Sequence, residues 1–325
     1  MFGIRRREFI TLLGGAAVAW PIAARAQQPN LPVIGFVSIN SPGEWTPYEI
    51  GFQDGLKEVG YIEGQNVKIE YRWAEGHIER VPIYVEEMIR RQVALIAGAN
   101  VDIALAAKAA TTTIPVVFVT GTDPVSINLV TSLNRPERNI TGVYFFSNDL
   151  VAKRLGLLHD LIPQATVIAL LTNPKIGGND QLQDTLDAAR RLGLQVNVFN
   201  ASSDDEIDAE FAALRADALV VAANPFFTQR RHQIVALAAR HALPAIYSVR
   251  EWTDAGGLMS YSTSLRDAYR QVGVYAGRIL KGERPADLPV IQSTKFEFII
   301  NLKTAKTLGL NVPPGLLAIA DAVIE

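Results

Sequence analysis

At 325 residues, 49% of them apolar and 20% charged, the chain is too long for one small core and fits two α/β lobes of about 120 to 150 residues each. Its 31 Lys and Arg are scattered among 33 Asp and Glu for a formal charge of −2, which leaves no basic stripe to follow a phosphate backbone, so nucleic acid is not an expected partner. The lack of cysteine excludes disulfides, thiolate catalysis, Cys-ligated zinc and a lipid-modified N-terminal cysteine.

Arg5, Arg6 and Arg7 stand before an apolar stretch over 11–20, followed by Pro21 and the small-residue triplet Ala24-Arg25-Ala26. These are the three zones of an export signal. A stretch of about ten apolar residues is too short for a hydrocarbon core that needs ~20. Two adjacent arginines one residue ahead of Phe9-Ile10, with a core rich in Gly and Ala, resemble a twin-arginine signal. The expectation is a signal over 1–26, cleaved after Ala26, and a periplasmic protein beginning at Gln27. Cleavage would remove four arginines and Glu8, taking the formal charge from −2 to −5.

From Pro32 onward, short apolar runs alternate with helical patterns, as in parallel sheets covered on both faces. The patterns predict strands over 33–37, 67–71, 93–97 and 116–119, with helices over 48–59, 79–91 and 103–113 between them. After Asn148 they predict helices over 150–161, 180–192, 204–214 and 229–241, and strands over 167–171, 195–199 and 218–222. The fold class is therefore α/β, with two Rossmann-like lobes and a ligand cleft between them. No extended Pro-, Ser- or Gly-rich linker intervenes, so 141–149 reads as a short crossover or hinge.

In open sheets of this kind, ligands collect beyond the C-terminal ends of the strands, where helix N-termini offer free N–H groups. Three apolar runs here end in a polar residue and proline, at Asp123-Pro124, Asn173-Pro174 and Asn224-Pro225. Capping explains each of them, and a cap at a strand tip is also where a ligand is met. Ser38, Asn100 and Thr120 end the first, third and fourth runs, and hydroxyls and amides there can hold a carboxylate without a buried counter-charge. Asp123 can accept from an ammonium or simply cap its helix. Asn173, Asn224 and Tyr261 are the matching tips of the second lobe. Tyr247, Trp45 and Phe226 are candidates for an aromatic wall, with plain core packing as the competing reading.

The signatures of other chemistries are missing from the sequence. There is no Gly-x4-Gly-Lys-Ser/Thr loop, no Gly-x-Gly-x-x-Gly after the first strand, and no Gly-x-Ser-x-Gly elbow. His77, His159, His232 and His241 form no pair at metal-ligand spacing. No cofactor, metal or catalytic residue is expected, and the chain reads as a binding protein, not an enzyme.

Five strings make the chain recognisable: VVFVTGTDPV at 116–125, NITGV at 139–143, KRLGLLHDLIP at 153–163, GGLMSY at 256–261 and FEFIINLKTA at 296–305. Together they resemble the ABC substrate-binding family that includes tryptophan and tyrosine uptake receptors. The resemblance implies a type I periplasmic-binding fold with three crossovers, in which a helix over 265–280 returns to the first lobe and a strand over 296–300 returns to the second. It implies lobes at 30–144 plus 262–288 and at 145–261 plus 289–325. It also implies a monomeric receptor that captures a small amino-acid-like or aromatic carboxylate solute and delivers it to an ABC permease in the inner membrane. The alternative is a ligand-sensing module of a chemosensory or signalling receptor, which uses the same fold.

Overall fold

The computed structural model describes residues 31–43, 45–136, 138–145, 150–175 and 178–325; the expected export signal and its cleavage point lie outside the described residues. The chain begins with β1 (Val33–Ser38), α1 (Thr46–Glu58), β2 (Lys68–Trp73), α2 (Val81–Arg90), β3 (Leu95–Gly98), α3 (Val101–Ala110), β4 (Val116–Thr120) and β5 (Ile140–Phe145). It continues through α4 (Val151–Leu161), β6 (Val167–Thr172), α5 (Gly178–Leu192), β7 (Gln195–Asn200), α6 (Asp204–Ala213) and β8 (Ala218–Val221). Next come α7 (Pro225–Gln229), α8 (Arg231–Arg240), β9 (Ala245–Tyr247), α9 (Glu251–Asp254) and β10 (Met259–Thr263). The last stretch holds α10 (Leu265–Leu280), β11 (Ile291–Ser293), β12 (Phe296–Asn301), α11 (Leu302–Thr307), α12 (Pro314–Ile319) and β13 (Ala322–Ile324).

The apolar runs form two sheets, one per lobe. The first has six strands in the order β11-β5-β4-β3-β1-β2, and the second has seven in the order β13-β12-β10-β9-β8-β6-β7. Pairing is parallel throughout the described residues except between β10 and β12. Side-chain alternation divides the second lobe's core between the two faces of its sheet. Ile168, Leu170, Ala218 and Val220 pack on one face. Ala169, Leu171, Leu219 and Val221 pack on the other. Runs covered on both sides in this way read as unbroken apolar sequence, which is why they were legible as strands.

Two expectations need adjustment. Residues 140–145 form a strand of the first sheet, and the expected crossover to the second lobe follows it. Thr141 Oγ1 donates to the Leu288 carbonyl at 2.7 Å, and Gly142 permits a close approach to β4, since a Cβ there would lie 2.2 Å from the Phe118 carbonyl oxygen. The remainder of the expected hinge, 146–149, lies outside the described residues. The lobe boundaries also shift: Ile291–Ser293 pairs with β5 in the first sheet, whereas Ser262 and Thr263 pair with Glu297 and Phe296 in the second. The helix expected over 229–241 forms as α8, and a separate short helix, α7, precedes it and ends at Arg230, where φ is −101° and ψ 17°.

The chain passes between sheets after β5, between β10 and α10, and between β11 and β12. Ser264 caps α10 by accepting from the Asp267 N–H, and the helix buries Ala268, Tyr269, Val272 and Ala276 in the first lobe's core. It lies directly on α1. A Cβ on Gly55 would stand 1.8 Å from the Arg270 carbonyl oxygen, and one on Gly273 would stand 2.1 Å from that of Phe52. This backbone contact fixes the start of α10 beside the start of α1, at the edge of the gap between the lobes.

Candidate ligand-binding cleft

The strand-tip candidates stand at the C-terminal ends of the two sheets, where ligands meet open α/β sheets. Their side-chain oxygens make local bonds. Ser38 Oγ accepts from the Asn40 N–H at 3.1 Å, and Thr120 Oγ1 accepts from the Thr122 N–H at 3.0 Å. Asn100 Oδ1 accepts from the Ile103 N–H at 3.2 Å and caps α3. Asp123 accepts from the Val125 N–H, Asn173 from the Lys175 N–H and Asn224 from the Phe226 N–H, each at 2.9 Å. Asn100 and Asn224 are helix caps, and the other four close local turns through bonds to an N–H two residues on.

For Tyr247 the competing reading, plain core packing, describes the structure, and Tyr261 stands in the middle of β10, not at its tip. Tyr247 is a core residue, 1% exposed and stacked on Trp252 with centroids 4.6 Å apart. Burial pushes its hydroxyl pKa up. It therefore does not form an aromatic wall of the cleft. Tyr261 stacks on Phe296 at 5.8 Å, and its carbonyl oxygen accepts from the Arg154 Nε–H at 2.8 Å. Of the stacked pair, it is Phe296 that lines the cavity described below. Phe226 lies under the Arg230 guanidinium at 3.8 Å.

Trp45 belongs to a cluster that sequence reasoning found only in part. Its ring lies 4.4 Å from that of Tyr48 and 5.8 Å from that of Tyr269. Tyr269 is anchored by donating its hydroxyl to the Ala99 carbonyl at 2.9 Å. This packing aims the Tyr48 hydroxyl out of the first lobe, and it donates a short hydrogen bond to Glu251 Oε1 of the second. This hydrogen bond joins the two lobes. Burial raises the pKa of both groups, and the charge of Glu251 raises that of Tyr48 further. Glu251 Oε2 is buried and accepts no hydrogen bond among the described residues.

Beside this bridge is a cavity of about 780 Å³, lined by Pro47, Tyr48, Leu265 and Arg266 from the first lobe and by Arg231, Glu251, Ser262, Lys295 and Glu297 from the second. That volume falls within the range of roughly 300–1,000 Å³ usual for small-molecule sites. Its ionic lining carries both signs: Arg231, Arg250, Arg266 and Lys295 against Glu251, Asp254, Glu297 and Asp321. Arg250 is held by Glu297 at 3.0 Å and Asp254 at 3.3 Å, and Arg266 by Asp54 at 3.1 Å. None of the eight residues expected from sequence lines this cavity. Among the described residues no group of three or more His, Asp or Glu is placed to hold a metal ion, and no helix is long and apolar enough to cross a membrane.

Comparison with known proteins places this architecture. The profile of a family described as ABC transporter substrate binding protein matches residues 33–324. A tyrosine-binding protein of Clostridioides difficile (strain R20291) is 26% identical over 263 residues, which is 80% of this chain and 76% of that protein. The structure of an ABC domain from Streptococcus pneumonia in complex with L-Trp is 27% identical and superimposes with a TM-score of 0.78, covering 91% of this chain and 100% of that one. The ligand-free, open structure of a substrate-binding protein with adhesive properties from Clostridium difficile, 23% identical, has the same fold at a TM-score of 0.74, covering 91% and 99% of the two chains.

Proposed function

We propose, since the chain belongs to the ABC transporter substrate binding protein family, that it is the periplasmic receptor of an importer and captures a small amino-acid-like or aromatic carboxylate solute between its lobes. The family binds substrates without transforming them, and the chain is not an enzyme. Substrate-binding proteins of this family take up small-molecule solutes and work with ABC permeases; here the loaded protein delivers its solute, as a monomer, to a permease in the inner membrane. The observation that carries the reading is a cavity lined from both lobes beside the Tyr48–Glu251 contact, with cationic and anionic side chains around it. Tyrosine- and tryptophan-binding relatives support the solute class. The arginine pair Arg6-Arg7 and the triplet ending at Ala26 support export and cleavage ahead of Gln27.

Thermal-shift screening of the chain starting at Gln27, against amino acids, aromatic acids and sugars, tests the reading. A ligand at 100 times its dissociation constant adds about 2.7 kcal/mol of stability. Amino acids or aromatic acids should raise the melting temperature. Stabilisation by sugars alone would refute the solute class.

A further inference from the structure

We propose that Glu251 anchors the ammonium group of the solute, so that the cleft selects an aromatic α-amino acid over the same acid without its amine; this rests on the solute reading above. Glu251 lies just past the tip of β9 and lines the cavity shared by both lobes. Its Oε1 is taken by Tyr48. Its Oε2 is buried with no donor among the described residues, an arrangement that is costly for a carboxylate unless a donor arrives. An ammonium brings three N–H donors and the opposite charge.

The neighbouring charges leave that place to the ligand. Arg250, next in sequence, is turned to Glu297 and Asp254. Arg231 lines the same cavity, and its charge offsets part of the burial that raises the Glu251 carboxyl pKa, but it makes no hydrogen bond to Oε2. Lys295, also on the lining, supplies a cation for the solute's carboxylate, whereas Arg266 is paired with Asp54. Because Tyr48 belongs to the first lobe and Glu251 to the second, one carboxyl group both joins the lobes and receives the amine. Capture of the ammonium is thereby coupled to lobe contact.

The test is calorimetric titration of the wild-type chain from Gln27, Glu251→Gln and Tyr48→Phe with L-tryptophan, L-tyrosine, 3-indolepropionate and 3-(4-hydroxyphenyl)propionate. Wild type should prefer each amino acid to its deaminated analogue by about 10- to 100-fold, the value of a charge-assisted hydrogen bond. Glu251→Gln should lose that preference, and Tyr48→Phe should keep it while binding all four compounds more weakly. Equal affinity of wild type for acid and amino acid overturns the assignment, as does a folded Glu251→Gln that keeps the wild-type preference. The wild-type comparison stands even if Glu251→Gln does not fold. If the analogues bind and the amino acids bind no better, only the role of Glu251 falls; if none of the four binds, the solute class falls with it.

Discussion

Replacing Gly55 with alanine places a methyl group 1.8 Å from the Arg270 carbonyl oxygen, 2.8 Å from its carbon and 2.9 Å from the Val274 nitrogen. Ordinary carbon contacts lie at about 3.5–4.0 Å. All three obstacles are backbone atoms of α10, so no side-chain rotation relieves them and the two helices must move apart. Overpacking costs about 1–3 kcal/mol, with the upper end expected where backbone must shift. Alanine in a helix returns about 1 kcal/mol relative to glycine. The net loss is then about 2 kcal/mol, or about 4–8 °C in melting temperature for a lobe of this size. Gly156→Ala on α4 is the control, since a Cβ there meets nothing within 4 Å, and it should be neutral or stabilising by up to about 1 kcal/mol. Because α1 carries Tyr48 and α10 begins beside Arg266, the wedge should weaken solute binding as well. Scanning calorimetry of both variants decides the matter: a Gly55→Ala protein that melts at or above Gly156→Ala would show that the helices are not in backbone contact.

Asn224→Ala removes the acceptor of the Phe226 N–H and Asn173→Ala that of the Lys175 N–H, and each should cost about 1 kcal/mol in urea unfolding. Asp217 accepts from the Thr166 and Val167 N–H groups, which hold its pKa below the ordinary value of 3.8. Its contribution is therefore present above that value and lost as pH falls through the lowered one, so the stability gap between wild type and Asp217→Asn should be open at neutral pH and closed in acid. Glu251 has the opposite sign: burial raises its pKa above 4.5, so its contribution is full below 4.5 and lost as pH rises through the folded value. Melting curves from acid to neutral pH should show Glu251→Gln gaining on wild type as pH rises. Changing Arg6 and Arg7 together to lysine should block translocation and leave folded precursor in the cytoplasm, and a normal periplasmic yield in fractionated cells would remove the twin-arginine reading.

The legible part of the fold was the part governed by continuous burial. Ile34 to Val37, Ile96, Val116 to Val119 and Ile168 to Leu171 are buried on both faces, and their sequences are unbroken apolar runs. Ile140–Phe145 is a strand of the same kind, but Thr141 and Gly142 interrupt its apolar pattern. The hydroxyl is satisfied by Leu288, 147 positions away, and the glycine is required by the carbonyl of Phe118. Both causes are tertiary and leave no local trace. β9 has only three residues between Pro244 and Ser248, too short for a period to show. Overlooking it hid the tip at which Glu251 stands. As the first residue of a four-residue helix, Glu251 resembles an ordinary acid at a helix start. Its partner Tyr48 lies 203 positions away. The polar strand tips, by contrast, were visible in sequence, and the structure engages their side-chain oxygens in local bonds, with Asn100 and Asn224 as helix caps.

A crystal structure of the chain from Gln27, grown with the amino acid that stabilises it most, tests the central claim most directly. One solute should lie in the cavity between the lobes, touching residues of both, with Tyr48 and Glu251 still in contact. A solute seated on one lobe alone, or outside the gap, would contradict the account.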